Sequence, residues 1–170
     1  MTILEIIKTK PINNKTISEN INFGELCKKN SLDIDYDIII NNCIFEEDFI
    51  APYFFNKKFL IKNCIFNKKF VLYGGIFYDK VIIENSIFIG YNSFGAGISF
   101  MDKVLFNNNV FSEFLDINDA EFKKKLNFSN NILKKGTNLL GNLGKAYEIT
   151  FNKTPTIENN IGDLKMNILP

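Results

Sequence analysis

Asn63-Cys64-Ile65-Phe66 is one of five near-identical tetrapeptides, the others being Asn42-Cys43-Ile44-Phe45, Asn85-Ser86-Ile87-Phe88, Asn108-Asn109-Val110-Phe111 and Asn130-Asn131-Ile132-Leu133. They recur at intervals of 21, 22, 23 and 22 residues. A fixed period of this size is the signature of one structural unit stacked on itself. Inside it lies a half-period: Phe45, Phe55, Phe66, Phe77, Phe88, Phe100, Phe111, Phe122 and Leu133 follow one another at 10 to 12 residues.

Further columns appear counting back from each of these. Ile40, Ile50, Ile61, Leu72, Ile83, Phe106, Ile117 and Phe128 lie five residues earlier, and Ile38, Phe59, Phe70, Val81, Val104, Leu115 and Leu126 lie seven earlier. The half-repeat ending at Phe100 fits with one inserted residue, which assigns Phe94 and Ala96 to these columns. Two residues before the Phe column the side chain is small: Cys43, Cys64, Gly75, Ser86, Asn109, Ala120 and Asn131. Short runs of alternating apolar residues are strand signals. An 11-residue half-unit has no room for a strand and a helix, so each half-unit reads as a short strand plus a corner, and two make a coil. Coils stack in parallel about 4.8 Å apart. Each fully buried Phe ring then contributes about 1.5–3 kcal/mol.

A small residue two before a central Phe or Leu, with an apolar residue five before it, resembles the pentapeptide-repeat proteins over residues 34–133. The resemblance implies an all-β fold, a right-handed parallel β-helix of about 4–5 coils with terminal caps. This chain departs from the family pattern in its 11-residue half-units and in its large second inward residue, as at Phe59, Val81 and Leu115. The cross-section is therefore left open between a square and a flattened pair of sheets. The expected organisation is an N-terminal cap or degenerate coil over 1–33, repeats over 34–133, and a C-terminal insertion and cap over 134–170. Thr2 and Glu5 predict a capping box on a short helix ending before Pro11. Residues 156–161 echo 127–132, which predicts a further half-coil, with Leu164, Met166 and Ile168 placed to cover the open end.

The Asn of each tetrapeptide, with Gly74, Gly97 and Asp119 on the alternate half-units, marks corners needing positive φ. The chain carries a net charge of +1 and contains no His, Trp, Gln or Arg. The near-neutral charge does not favour nucleic acid or anionic membrane. The missing His removes the commonest general base and metal ligand. The carboxylate groups Asp33/Asp35/Asp37 and Glu46/Glu47/Asp48 read as solvated turns, so no enzymatic activity, metal site or cofactor is expected. Cys27, Cys43 and Cys64 are an odd set that argues against a disulfide framework. No signal peptide or apolar membrane span is apparent, and a cytoplasmic, bacterial-type setting is expected.

Two outward features are candidates for binding. Residues flanked by inward positions point out, which places Ile39, Leu60, Ile82 and Leu105, and also Ile44, Ile65, Ile87 and Val110, on one apolar outer face. A solvated sheet face would alternate with polar residues there, so this apolar surface points to a covering. The occupants weighed are the chain's own termini, a second copy, or a different protein such as a toxin or an enzyme, with this chain acting as an immunity-type neutralising protein. The second feature is a corner column of Lys58, Lys80, Lys103 and Lys125, a weak anion-binding candidate beside Asp79 and Asp102. The family resemblance implies a rival role, mimicry of duplex DNA to protect a type II topoisomerase, which requires an acidic rod. A third reading, a polysaccharide-active β-helix enzyme, requires an acidic outer column.

Overall fold

A computed structural model describes residues 2–25, 33–52 and 54–167. It is built of parallel strands in four sheets, and the coil is therefore four-sided. Sheet A stacks Ile12–Asn13, Ile38–Asn41, Phe59–Lys62, Val81–Glu84, Val104–Asn107, Leu126–Ser129 and Thr156–Glu158. Sheet B stacks Thr16–Ile17, Ile44–Phe45, Ile65–Phe66, Ile87–Phe88, Val110–Phe111 and Ile132–Leu133. Sheet C holds Ile21–Asn22, Phe49–Ala51, Phe70–Leu72, Asn92–Ser93 and Leu115–Asp116, and sheet D holds Asp33–Ile34, Phe54–Phe55, Ile76–Phe77, Ser99–Phe100, Glu121–Phe122 and Thr150–Phe151. The chain visits A, B, C and D in turn through about five full coils.

Equivalent residues sit in register, as in Phe59–Val81–Val104–Leu126 on sheet A. The interior is packed with rings. Phe45, Phe66, Phe88 and Phe111 stack nearly parallel at 4.6, 5.0 and 4.8 Å behind sheet B. A matching pile of Phe55, Phe77, Phe100, Phe122 and Phe151 lies behind sheet D at 4.6 to 5.4 Å. Rings from neighbouring sides meet edge to face, as Phe66 does with Phe70 at 4.6 Å, so both favoured aromatic geometries are used.

The Asn corners adopt φ between 52° and 57° at Asn42, Asn63, Asn85, Asn108 and Asn130, with Asn14 and Asn159 extending the column to both ends. All of these lie between sheets A and B. The irregular intervals come from the diagonal corner, between C and D. One residue fewer separates Ala51 from Phe55 than Leu72 from Phe77, and one more separates Phe94 from Phe100. The extra residue is taken up by Ala96 and Gly97, both at positive φ. Two expected assignments are corrected by this corner. Ile50 is half-buried and faces outward, with Phe49 and Ala51 inward in its place. Ala96 is an exposed corner residue, and Phe94 and Asn92 supply the inward pair.

A polar ladder runs inside the A–B corner. Ser86 Oγ accepts the backbone N–H of Cys64 (3.1 Å), Asn109 Oδ1 that of Ser86 (3.0 Å), Asn131 Oδ1 that of Asn109 (3.0 Å) and Asn160 Oδ1 that of Asn131 (2.9 Å). Each of these three amides also donates to a carbonyl of the preceding coil: Asn109 to Ile83, Asn131 to Phe106 and Asn160 to Phe128. The small column is therefore a hydrogen-bonded seam that satisfies backbone groups freed by the turn.

At the N-terminal end, α1 (Ile3–Ile7) begins at the Thr2/Glu5 capping box and buries Leu4 and Ile7. At the other end, Asn127 pairs with Thr156 and Ile132 with Ile161, the register the sequence echo predicts. The following residues return along the sixth coil, with the N–H groups of Thr137 and Leu140 donating to the carbonyls of Asp163 and Leu164. Residues 136–144 form turns and a single bridge at Thr137. Ile168 lies outside the described residues.

Candidate binding faces

The alternation that buries Phe59 and Ile61 turns Leu60 out, and the same geometry places Ile39, Ile82 and Leu105 in one column on the outer face of sheet A. Each is half-buried, because neighbours about 4.8 Å away shield one another. Asn127 continues the column. Around the Asn corner, Ile44, Ile65, Ile87, Val110 and Ile132 form a second column on sheet B. Ile44, Ile87 and Ile132 are 38%, 39% and 38% exposed, high for side chains in mid-sheet. Ile89 and Tyr91 add further exposed apolar area beside Ile87.

The described terminal segments pack at the ends of the stack. The turn after α1 approaches only the first of these residues, with Lys8, Pro11 and Tyr36 bordering a recess beside Ile39. A groove of about 380 Å³ runs over Ile82 and Leu105, walled by those residues, Asn127, and Lys80, Lys103 and Lys125.

The four corner lysines are all exposed. Asp79 and Asp102 do not pair with them through their ammonium groups. Asp79 Oδ1 accepts the backbone N–H of Lys80 at 2.6 Å and Asp102 Oδ1 that of Lys103 at 2.7 Å, so the carboxylates cap the turn. Asp37, level with Lys58 on the preceding coil, accepts the Lys58 backbone N–H at 3.2 Å and so links the two coils. Among the described residues, the ion pairs lie elsewhere: Lys62–Glu84 at 2.8 Å, Lys68–Glu47 and Lys135–Glu113 at 2.6 Å each, and Lys123–Glu121. Two of these, at Glu47 and Glu113, link successive coils at the B–C corner. Contact with the Glu47 carboxylate raises the Lys68 pKa.

Cys43 and Cys64 are free, buried and adjacent in the interior column. Burial pushes the Cys64 thiol up to about 12 and raises Cys43 as well, against the lowering effect of backbone N–H groups. Such thiols are unreactive near neutral pH. Cys27 lies outside the described residues. Among the described residues, no three His, Cys, Asp or Glu side chains are grouped to hold a metal ion. No helix among them is long and apolar enough to cross a membrane.

The interior seam was not apparent in the sequence as a hydrogen-bonded device. Its available signal was the change from Cys to Ser to Asn at one column position, which small size alone does not explain.

No protein-family model matches the chain, and neither does any curated protein or any solved structure.

Proposed function

We propose that this protein is a non-enzymatic binding module that engages a different protein through the adjoining outer faces of sheets A and B. The supporting observation is the pair of aliphatic columns, Ile39–Leu60–Ile82–Leu105 and Ile44–Ile65–Ile87–Val110, of which the described terminal segments approach only Ile39. Folding needs the inward residues of each strand; on the outside Thr combines strand propensity with a polar group, so a run of isoleucines there is more apolar than a solvated face requires. The stacked, ring-filled interior holds these columns rigid, so little conformational entropy is lost when a partner docks.

A second copy is a poorer occupant. With sheet A packed on itself by a two-fold axis across the stack, the lysine columns face each other. With the axis along the stack, they face the Asn corner, where Glu84 is already paired with Lys62. The carboxylates either arrangement brings, Asp37, Asp79 and Asp102 or Glu84, are already engaged within their own copy, so a second copy offers Lys58, Lys80, Lys103 and Lys125 no uncommitted anion. The resemblance to pentapeptide-repeat proteins extends to the four-sided coil, but the net charge of +1 and the exposed lysine column do not favour duplex mimicry. A toxin or an enzyme held inactive by a small bacterial cytoplasmic protein is the class of partner proposed.

Leu60→Asp with Ile82→Asp is the test. Affinity capture from the native host should lose a stoichiometric partner with the double variant, while thermal unfolding stays within a few degrees of wild type. Unchanged capture rules the faces out. A wild-type dimer broken by the variant would identify a second copy as the occupant instead.

A further inference from the structure

Resting on that reading, we infer that the element docking on sheet A is an acidic amphipathic helix, aligned with the stack axis and set in the groove between the lysine corner and the Leu60–Ile82–Leu105 column. Three features point to it. First, the middle strands of sheet A are hydrogen-bonded on both sides. A segment lying on the face of this sheet finds no backbone partners there, so it must satisfy its own N–H and C=O groups, which an α-helix does and an extended peptide does not.

Second, the spacing fits. Lysines repeat once per coil, about 4.8 Å. Carboxylates three and four residues apart on a helix repeat on average about every 5 Å along its axis. Over the four lysines the two series therefore stay within reach of flexible side chains.

Third, the charges fit. The four ammonium groups are exposed, and among the described residues none has a carboxylate within ion-pair distance. By register, Lys57 and Lys124 flank the same corner, as do Asp37, Asp79 and Asp102. Those three carboxylates each cap a backbone N–H. The corner thus offers a row of cations beside an apolar strip, and the complementary surface is a helix with a leucine-type ridge next to a glutamate ridge. A polyanion without apolar groups would use the lysines and leave Ile82 and Leu105 wet.

The experiment uses the full chain and a labelled helical peptide of about 18 residues, ~27 Å long, carrying adjacent Leu and Glu ridges. A scrambled peptide of the same composition and inorganic polyphosphate serve as comparisons, with binding read by fluorescence anisotropy at low salt. The ridged peptide should bind at least about tenfold tighter than the scrambled one. Lys80→Glu with Lys103→Glu, and separately Leu105→Asp, should each weaken it by a similar factor. Lys80→Gln with Lys103→Gln, milder at an exposed corner, should fall between, and circular dichroism should report unchanged folding.

Equal binding of the two peptides overturns the inference, as does indifference to Leu105→Asp with full displacement by polyphosphate. If the ridged peptide fails while capture of a native partner still depends on Leu60 and Ile82, the protein-binding role stands and the acidic helix falls. If capture is also indifferent to those residues, both fall.

Discussion

Asn131 holds Asn109 from the next coil: its Oδ1 accepts both the backbone N–H of Asn109 at 3.0 Å and the Asn109 side-chain amide at 3.1 Å. Its own Nδ2 donates to the Phe106 carbonyl at 3.0 Å. All of this lies where Asn109 and Asn131 are fully buried. Asn131→Ala leaves several interior polar groups unpaired at once and should lower stability by about 2–4 kcal/mol. Urea unfolding measures it; a loss below about 0.5 kcal/mol would mean that water replaces the amide.

The outward Asn one residue earlier behaves differently. Asn63 is exposed at φ 54°, and its identity matters for backbone conformation. Asn63→Gly should be neutral within about 0.5 kcal/mol, and Asn63→Val should destabilise by about 1–2 kcal/mol, since a β-branched residue resists the left-handed region. Equal effects of the two would show that the corner relaxes to another turn.

Asn92 is the exception among the inward residues of sheet C, between Phe70 and Leu115. Its Nδ2 donates to the Gly90 carbonyl at 2.8 Å, but its Oδ1 is the one buried side-chain oxygen or nitrogen without a partner among the described residues. Asn92→Leu should raise stability by about 1–2 kcal/mol by removing an unpaired polar atom from an apolar site. A fall instead would show that the bond to Gly90 outweighs the orphaned oxygen.

The Cys64 pKa, raised by burial to about 12 from an ordinary 9.0, carries a pH signature. Folding favours the protonated thiol. The associated stability is complete below about pH 9 and is lost as pH climbs toward the folded value, at up to about 1.4 kcal/mol per pH unit. Between about pH 8 and about pH 10.5 the wild type should lose more urea resistance than Cys64→Ala. Parallel losses would show that this thiol does not ionise differently on unfolding.

The tetrapeptide alone exposed the period, the Asn corner and the inward Phe, because each is forced by local geometry repeated many times. The outward columns followed from alternation. What was not legible arose where the repeat slips. Ile50 and Ala96 were misassigned because a single-residue deletion or insertion can be absorbed at any corner, and only the assembled coil shows that the C–D corner absorbs both. The four-sided outline was likewise open, since a small interior residue is compatible with a sharp bend or a flat strand. The turn-capping role of Asp79 and Asp102 also escaped the sequence, which shows only that they adjoin Lys80 and Lys103, whose backbone N–H groups they accept.

The interior seam changes chemistry along the stack, from thiol at Cys43 and Cys64 to hydroxyl at Ser86 to amide at Asn109, Asn131 and Asn160. Coils of the same outline are thus not interchangeable parts. Exchanging a thiol coil with an amide coil would set mismatched donors and acceptors against their neighbours, even though every ring still found a ring. The layers fall into three interior types, thiol, hydroxyl and amide, a coarse address written on the inside that leaves the outer surface free to diverge without mixing one type with another.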